Sequence, residues 1–285
     1  MCRFTLYLGP PIRLESLLIE PHHSLIRQSS HSHERDEPLN GDGFGVGWFA
    51  GHFTAEPAVF RSITPAWNNR NLHNIARVVA SDCILAHVRA ATQSSGVNEA
   101  NCHPFRFRRY LFMHNGDVGN FRAVRRGLLQ SVCDEAFANV YGSTDSEHFF
   151  AVLIDELMHL GDKGDAADNM ARALASAIRR VVQAVRLYGG GESSYLNCAL
   201  SDGDHAVVSR FTDSPEHPPE SLYYFTGDLY PVAEVEETRE SGAYGSPVIV
   251  SSERLTDDPA WQAIPPNQMV ILRRNQSPEL RRCES

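Results

Sequence analysis

The 285-residue chain carries 26 Lys+Arg against 35 Asp+Glu, a formal charge of −9, with 42% hydrophobic and 21% charged residues. This is the composition of a globular chain with enough apolar material to build a core without staples, not of a disordered one. The acidic balance argues against nucleic acid or an anionic membrane as the main partner, and no stretch approaches the ~18 apolar residues that span a bilayer.

The N-terminus, MCRFTLYLGPPIR, reads as a strand over residues 2–8. Its apolar run of about six residues is shorter than a signal-peptide core, and Pro10-Pro11 end it. The six cysteines (Cys2, Cys83, Cys102, Cys133, Cys198, Cys283) include no CxxC and no close pair. Neither a disulfide framework nor a thiolate zinc site is expected, and a cytoplasmic location follows. Residues 22–40 are polar and read as a loop. His22, His23, His31 and His33 lie there, but they match no helix-borne i,i+4 pair, and no carboxylate or cysteine completes a familiar ligand set. No metal and no cofactor is expected. Asn40-Gly-Asp-Gly-Phe-Gly45 is glycine-rich, yet it leads into a strand over 44–49 and lacks the Lys-Ser/Thr of a phosphate-binding loop. A close approach to another backbone or to a ligand is the better reading.

Further strands are expected over 83–90 and 110–114, then a short helix over 121–130. Thr144-Asp-Ser-Glu147 reads as a capping box opening a helix whose face is Phe149, Phe150, Leu153, Ile154 and Leu157. A second helix presents Ala171, Leu174, Ala175, Ile178, Val182 and Val185 and ends in the run Gly189-Gly-Gly191. Strands follow over 195–200, 206–210, 222–226, 248–252 and 269–273, with a loop over 213–221. Strands, central helices and strands again indicate an α+β fold with helices packed on largely antiparallel sheets. One catalytic domain over 2–273 and a loose tail over 274–285 are expected.

Four places carry chemistry. Removal of Met1, which a small second residue permits, would make Cys2 the first residue, with thiol nucleophile and α-amine base on one amino acid. An α-amine has a reference pKa of about 7.7–8.0, low enough to take the thiol proton near neutrality. Alone, a Met-Cys start more often means a packed apolar cysteine. Asn115-Gly116 follows an apolar strand; a side-chain amide and a glycine N–H can serve an oxyanion, although Asn-Gly is also a common tight turn. Arg89, near the end of a buried-looking strand, has the planar fork that fits an amino-acid carboxylate, and Thr92 could add a hydroxyl. An arginine reaching to water from a sheet edge is the alternative. Asp145, at a helix start, could hold an ammonium group or simply complement the helix dipole.

Taken together, Met1-Cys-Arg-Phe4, Asn40-Gly-Asp-Gly-Phe-Gly45, Ala86-His-Val-Arg-Ala90, Asn101-Cys-His-Pro-Phe105, His114-Asn-Gly116 and Ser143-Thr-Asp-Ser-Glu147 occur in the order seen in class II glutamine amidotransferases, which are N-terminal-nucleophile hydrolases. The resemblance runs from Cys2 to about Leu272. It is nearest to the amidotransferase subunit of the fungal Dug glutathione-degradation complex and more distant from the EgtC hydrolases of ergothioneine biosynthesis. It implies a four-layer αββα sandwich. It further implies Cys2 as nucleophile, Asn115 and Gly116 as oxyanion hole, Arg89 for the substrate α-carboxylate and Asp145 for its α-ammonium, with His103, Asp42 and Gly43 in supporting places. Position 90 is Ala where the larger biosynthetic members commonly carry Trp, and Gln93 stands in place of their His, so a different pocket lid is expected.

The resemblance uses up the chain, which favours hydrolysis of a γ-glutamyl amide bond, glutathione first, over transfer of ammonia to an acceptor domain. A glutaminase, or an EgtC-like hydrolase of another conjugate, is the rival within the class; a non-catalytic scaffold retaining the fold is the rival outside it. The Dug resemblance also implies a metallopeptidase-like partner.

Overall fold

Strands that are apolar on both faces must be covered on both faces, and here they are. The computed structural model describes residues 2–31, 39–90, 96–161, 163–227 and 245–283. The first half of the chain contributes β1 (Arg3–Arg13), α1 (Leu14–Leu18), α2 (Leu25–Gln28), β2 (Phe44–Trp48), β3 (Ala58–Ser62), α3 (Arg70–Val78), β4 (Ala80–Val88), β5 (Phe105–Phe107) and β6 (Tyr110–Asp117). Then come α4 (Phe121–Gln130), α5 (Asp134–Ala138), α6 (Asp145–Leu160) and α7 (Ala166–Tyr188). The last part supplies β7 (Tyr195–Ser201), β8 (His205–Arg210), β9 (Tyr223–Thr226), β10 (Val248–Ser251), β11 (Gln262–Ala263), β12 (Gln268–Arg273) and β13 (Glu279–Arg282).

The strands form two sheets, ordered β11-β9-β10-β1-β4-β2-β3 and β13-β12-β8-β7-β6-β5. Each pairing between these strands is antiparallel. Period-2 alternation sorts their side chains into separate layers. Phe4, Leu6 and Leu8 of β1 and Cys83 and Leu85 of β4 meet Leu111 and Met113 of β6 and Val270 and Leu272 of β12 between the sheets. The alternate residues Tyr7, Ile84, Ala86, Val88 and Ile249 pack outward against α1–α3. On the second sheet Phe112, Leu196, Cys198, Leu200, Val207 and Ile271 pack outward against α4–α7. Three apolar layers separate four layers of structure, the αββα sandwich that was expected.

The two long helices start and stop where their side chains direct. Thr144 Oγ1 accepts the N–H of Glu147 at 3.2 Å, but the reciprocal half of a capping box is missing. The Glu147 carboxylate instead accepts from the N–H groups of Tyr141 (2.8 Å) and Gly142 (2.6 Å), tying down the preceding turn. Asp165 caps α7 by accepting from Asp168 N–H at 2.8 Å.

Two sequence-based expectations are corrected. The loop over 22–40 contains the short α2, capped by Ser24, whose side chain accepts from Arg27 N–H. The tail over 274–285 is not loose in its described part: Glu279–Arg282 adds a strand to β12, in register Gln268↔Arg282 to Ile271↔Glu279. Ion pairs hold this charged edge, Arg273–Glu279 at 2.8 Å and Arg281–Asp168 at 2.9 Å, and Cys283 is buried. A charged edge strand has no apolar alternation to reveal it in sequence, and its charges suit an edge.

The start of β1 is fixed by an ion pair the sequence did not suggest. Arg3 is fully buried, its Nε 2.5 Å from Glu253 Oε1, and its NH1 donates to Asn40 Oδ1. Next to it, Phe4 N–H donates to Ser252 Oγ and Ser252 N–H to Phe4 O, both at 3.0 Å. Removing one partner of a buried pair strands the other charge, at a cost of about 3–5 kcal/mol. Glu253→Gln should therefore lower the urea midpoint by an amount equivalent to about 3–5 kcal/mol; a midpoint matching wild type would show that Arg3 does not need its carboxylate.

Candidate active site

Neighbouring strands bring the first set of residues to one end of one sheet. The register Arg3↔Val88 places Cys2 beside Arg89 at the end of the β1–β4 ladder. On the other flank β2 pairs Phe44 with Val88, and the backbone extends the contact: Asp42 N–H donates to Arg89 O at 3.1 Å and Arg89 N–H to Gly43 O at 2.9 Å. Cys2, Arg89, Asp42 and Gly43 thus share one end of the sheet. The Cys2 thiol donates to Ala90 O at 3.6 Å. Burial pushes that thiol up from its ordinary value, while the Ala90 hydrogen bond and the Arg89 charge pull it down and the Asp145 charge raises it.

Arg89 is buried, at 3% exposure, and does not reach out to water as a sheet-edge arginine would. Its guanidinium donates to the carbonyls of Asp42 at 3.4 Å and Gly96 at 3.5 Å. Thr92 and Gln93 lie outside the described residues.

The second sheet delivers Asn115 and Gly116 at the end of β6, and one histidine fixes them against both α6 and β7. His114 Nε2 lies 3.0 Å from Tyr195 O and Nδ1 lies 2.8 Å from Ser146 Oγ. A carbonyl only accepts, so Nε2 carries a proton and donates to it, while Nδ1 shares a hydrogen bond with the serine hydroxyl. Across the sandwich, His87 Nε2 of β4 meets the His114 carbonyl at 3.3 Å, joining the two sheets beside the site. Gly116 has φ +152°, and a Cβ there would lie 1.8 Å from Tyr195 O, so only glycine fits. The Asn115 side chain is buried, at 1% exposure, and among the described residues neither its amide nitrogen nor its oxygen has a partner. A buried primary amide left so costs on the order of 1–3 kcal/mol, and such unsatisfied groups concentrate where a ligand completes them.

Asp145 opens α6, half-buried, its two oxygens accepting from Val118 N–H (2.9 Å) and Ser146 N–H (2.8 Å). Its charge acts on Cys2 and, after burial, is the main influence raising Asp117. An acidic group at this helix start also suits the dipole, so the helix end and the site are served by the same carboxylate.

His103 and the glycine-rich segment meet behind this end of the sheet. A Cβ on Gly45 would fall 2.1 Å from His103 O, which explains why the strand carries glycine there. The close backbone approach expected for that segment is thus what the fold contains. The His103 ring, 3% exposed, packs between His87 (4.2 Å between centroids) and Phe105 (4.4 Å). Burial pushes His87 down to about 3 and His103 well below the usual histidine value. Sequence reasoning missed His87, Ser146 and the Arg3–Glu253 pair. His87 and Ser146 stand inside the quoted phrases but carried no spacing rule, and Glu253 lies 250 residues from its partner.

The class II glutamine amidotransferase family model matches residues 30–284. The chain belongs to that family. Among class II amidotransferases it is 37% identical to the "Probable glutamine amidotransferase DUG3" of Saccharomyces cerevisiae, over 96% of this chain and 82% of that one. It is 31% identical to the gamma-glutamyl-hercynylcysteine sulfoxide hydrolase of Mycolicibacterium smegmatis, over 96% of each chain. A solved glutamine aminotransferase class-II domain protein from Silicibacter pomeroyi superposes with a TM-score of 0.67 at 27% identity, covering 99% of both chains. Among the described residues no helix is long and apolar enough to cross a membrane.

The neutral ring pair gives this amidotransferase a pH signature. His87 and His103 stay unprotonated in the fold, whereas in the unfolded chain they take a proton below about 6.5. The unfolded state then binds more protons, so stability falls as pH drops below about 6.5, the His87 contribution continuing towards 3. Urea titrations should show His87→Phe with a shallower loss over that window than wild type; parallel curves would remove His87 from the account.

Proposed function

We propose that the protein hydrolyses a γ-glutamyl amide bond through a glutamyl-thioester on Cys2, with glutathione as the leading substrate. The observation that carries this reading is the buried Asn115 amide, without a partner among the described residues, beside the glycine-only position 116; it stands two residues past Met113 on β6, as Cys2 stands two before Phe4 on β1, and Met113 and Phe4 share the layer between the sheets. A group that stays unsatisfied in the resting protein is poised to donate to an oxygen that becomes an anion during reaction.

With Met1 removed, the Cys2 amine takes the thiol proton and the thiolate attacks the γ-carbonyl carbon. The carbonyl oxygen becomes an oxyanion and accepts from Asn115 Nδ2 and Gly116 N–H. The amine, now an ammonium, returns the proton to the departing nitrogen as the C–N bond breaks, leaving the thioester. Water then attacks the thioester with the same amine as base, and glutamate leaves. Arg89 presents its fork to the α-carboxylate. The Asp145 carboxylate, with four lone-pair positions and two backbone donors, retains acceptor capacity for the α-ammonium. These contacts read the glutamyl half and leave the amine half open. Similarity to a γ-glutamyl hydrolase supports this class of substrate. That same similarity supports a second reading, in which another γ-glutamyl conjugate is the substrate.

Glutamate release should be measured from glutathione, glutamine and other γ-glutamyl amides with purified protein. Cys2→Ala is expected to abolish it, as is any uncleaved residue ahead of Cys2, since an amide nitrogen is no base. Turnover by either form would sink the mechanism. Asn115→Ala should lower kcat by about 100- to 1,000-fold with KM little changed. Its melting temperature should not fall, because no hydrogen bond is lost. A variant that loses stability and keeps kcat would give Asn115 a structural role instead.

A further inference from the structure

Far along the chain from the histidine-rich loop, Asp257 returns to meet it. His22 Nδ1 lies 3.3 Å from His23 Nε2, and His23 Nε2 lies 3.2 Å from Asp257 Oδ1. The three donor atoms all fall within 4.8 Å of one another. A tetrahedral ion with bonds of about 2.0–2.1 Å requires its donors about 3.3–3.4 Å apart. Two of the three separations already match that edge length.

We propose that His22, His23 and Asp257 form a binding site for a late first-row divalent metal, Zn²⁺ in particular. Two imidazole nitrogens and one carboxylate oxygen make a borderline donor set that suits such an ion and disfavours Ca²⁺ or Mg²⁺, which take oxygen ligands. The two rings stand edge to face, 4.6 Å between centroids at 81°, and do not stack. His22 and Asp257 are exposed, which leaves an open side for water to complete the coordination.

The turn that carries the histidines is held from behind. His23 N–H donates to Leu255 O at 3.0 Å and Ser24 N–H to Pro21 O at 3.0 Å. Gln28 Nε2 donates to His23 O at 2.8 Å and reaches Glu253 O at 3.5 Å. A pre-set frame of this kind lowers the entropy lost when ligands are ordered around an ion. It also says what the ion would do. The metal would bridge the 21–24 turn to the 255–258 turn, just beyond Ser252 and Glu253, which grip Phe4 and Arg3 at the start of β1. It would thus act as a clamp on the segments that flank the strand bearing Cys2, and it takes no part in the chemistry proposed there.

Titration of tag-free, chelator-stripped full-length protein with Zn²⁺, in a Cys2→Ala background so that this thiol cannot compete, tests the site. One equivalent should bind, and the ion should raise the melting temperature. Co²⁺ should give the visible bands of a four-coordinate site without a sulfur-to-metal band. Asp257→Asn and His22→Asn, both at exposed positions, should weaken binding on the order of 10–100-fold or more and abolish the thermal shift while melting like the parent in chelator. Absence of one-to-one binding, or equal binding by the parent and both variants, would overturn the site. Glutamate release by protein with an intact Cys2 is independent of that outcome, so failure of the metal site leaves the hydrolase reading standing.

Discussion

Everything at the site depends on where the first strand lies. β1 is an inner strand, bonded to β4 on one side and β10 on the other, and the buried Arg3–Glu253 pair fixes its first turn of register. A chain terminus normally frays. Here the residue after Met1 leads directly into a strand paired on both flanks, so the mobility that would spoil a nucleophile is suppressed at the one place where a free α-amine can also be present. The cost is a buried guanidinium, compensated by Glu253 and Asn40. An edge strand could hold a cysteine as well, but it could not set Arg89 on one side while Ser252 and Glu253, just after β10, support the other.

The two sheets divide the chemistry between them. One carries Cys2, the proposed nucleophile, and Arg89; the other carries the Asn115 amide and Gly116 proposed to face an oxyanion. His87 and His114 join the sheets at that point, and His114 together with Ser146 joins β6 to the helix bearing Asp145. Burial holds the His87 ring unprotonated, so its link across the sheets carries no charge. Arg89 brings positive charge to the Cys2 thiol, the charge a glutamyl carboxylate would require. The unsatisfied Asn115 amide is a small instability retained beside a rigid frame, the pattern expected where function and stability conflict.

Much of this was legible in the sequence. The nine expected strands are all present because each is apolar enough to be seen, and most are apolar on both faces, buried between the sheets and under helices. The helix over Phe121–Gln130 and the two long helices also appear, since their 3.6-residue periodicity and capping residues agree. Three of the elements that escaped share another property. α3 buries only Leu72 and Ala76, β3 is half-buried throughout, and β13 is made of charges held by ion pairs. Such segments owe their structure to neighbours, and their own residues do not announce it. The metal-ligand question shows the same limit, for the histidines are adjacent in sequence while the carboxylate that meets them is not.

By itself the sequence determined which residue types were available and in what order: a cysteine at position 2, an arginine at the end of an apolar strand, an Asn-Gly after another, an acid at a helix start. Those are local properties, set by periodicity, caps and turns. Only the tertiary structure decided that Arg89 and Asp145 lie near enough for their charges to act on the Cys2 thiol, that Arg89 is buried and does not snorkel, and that Glu253 and Asp257 return to the N-terminal region. Such contacts join residues many tens of positions apart, and a chain's local preferences carry no information about which distant segment its strand will pair with.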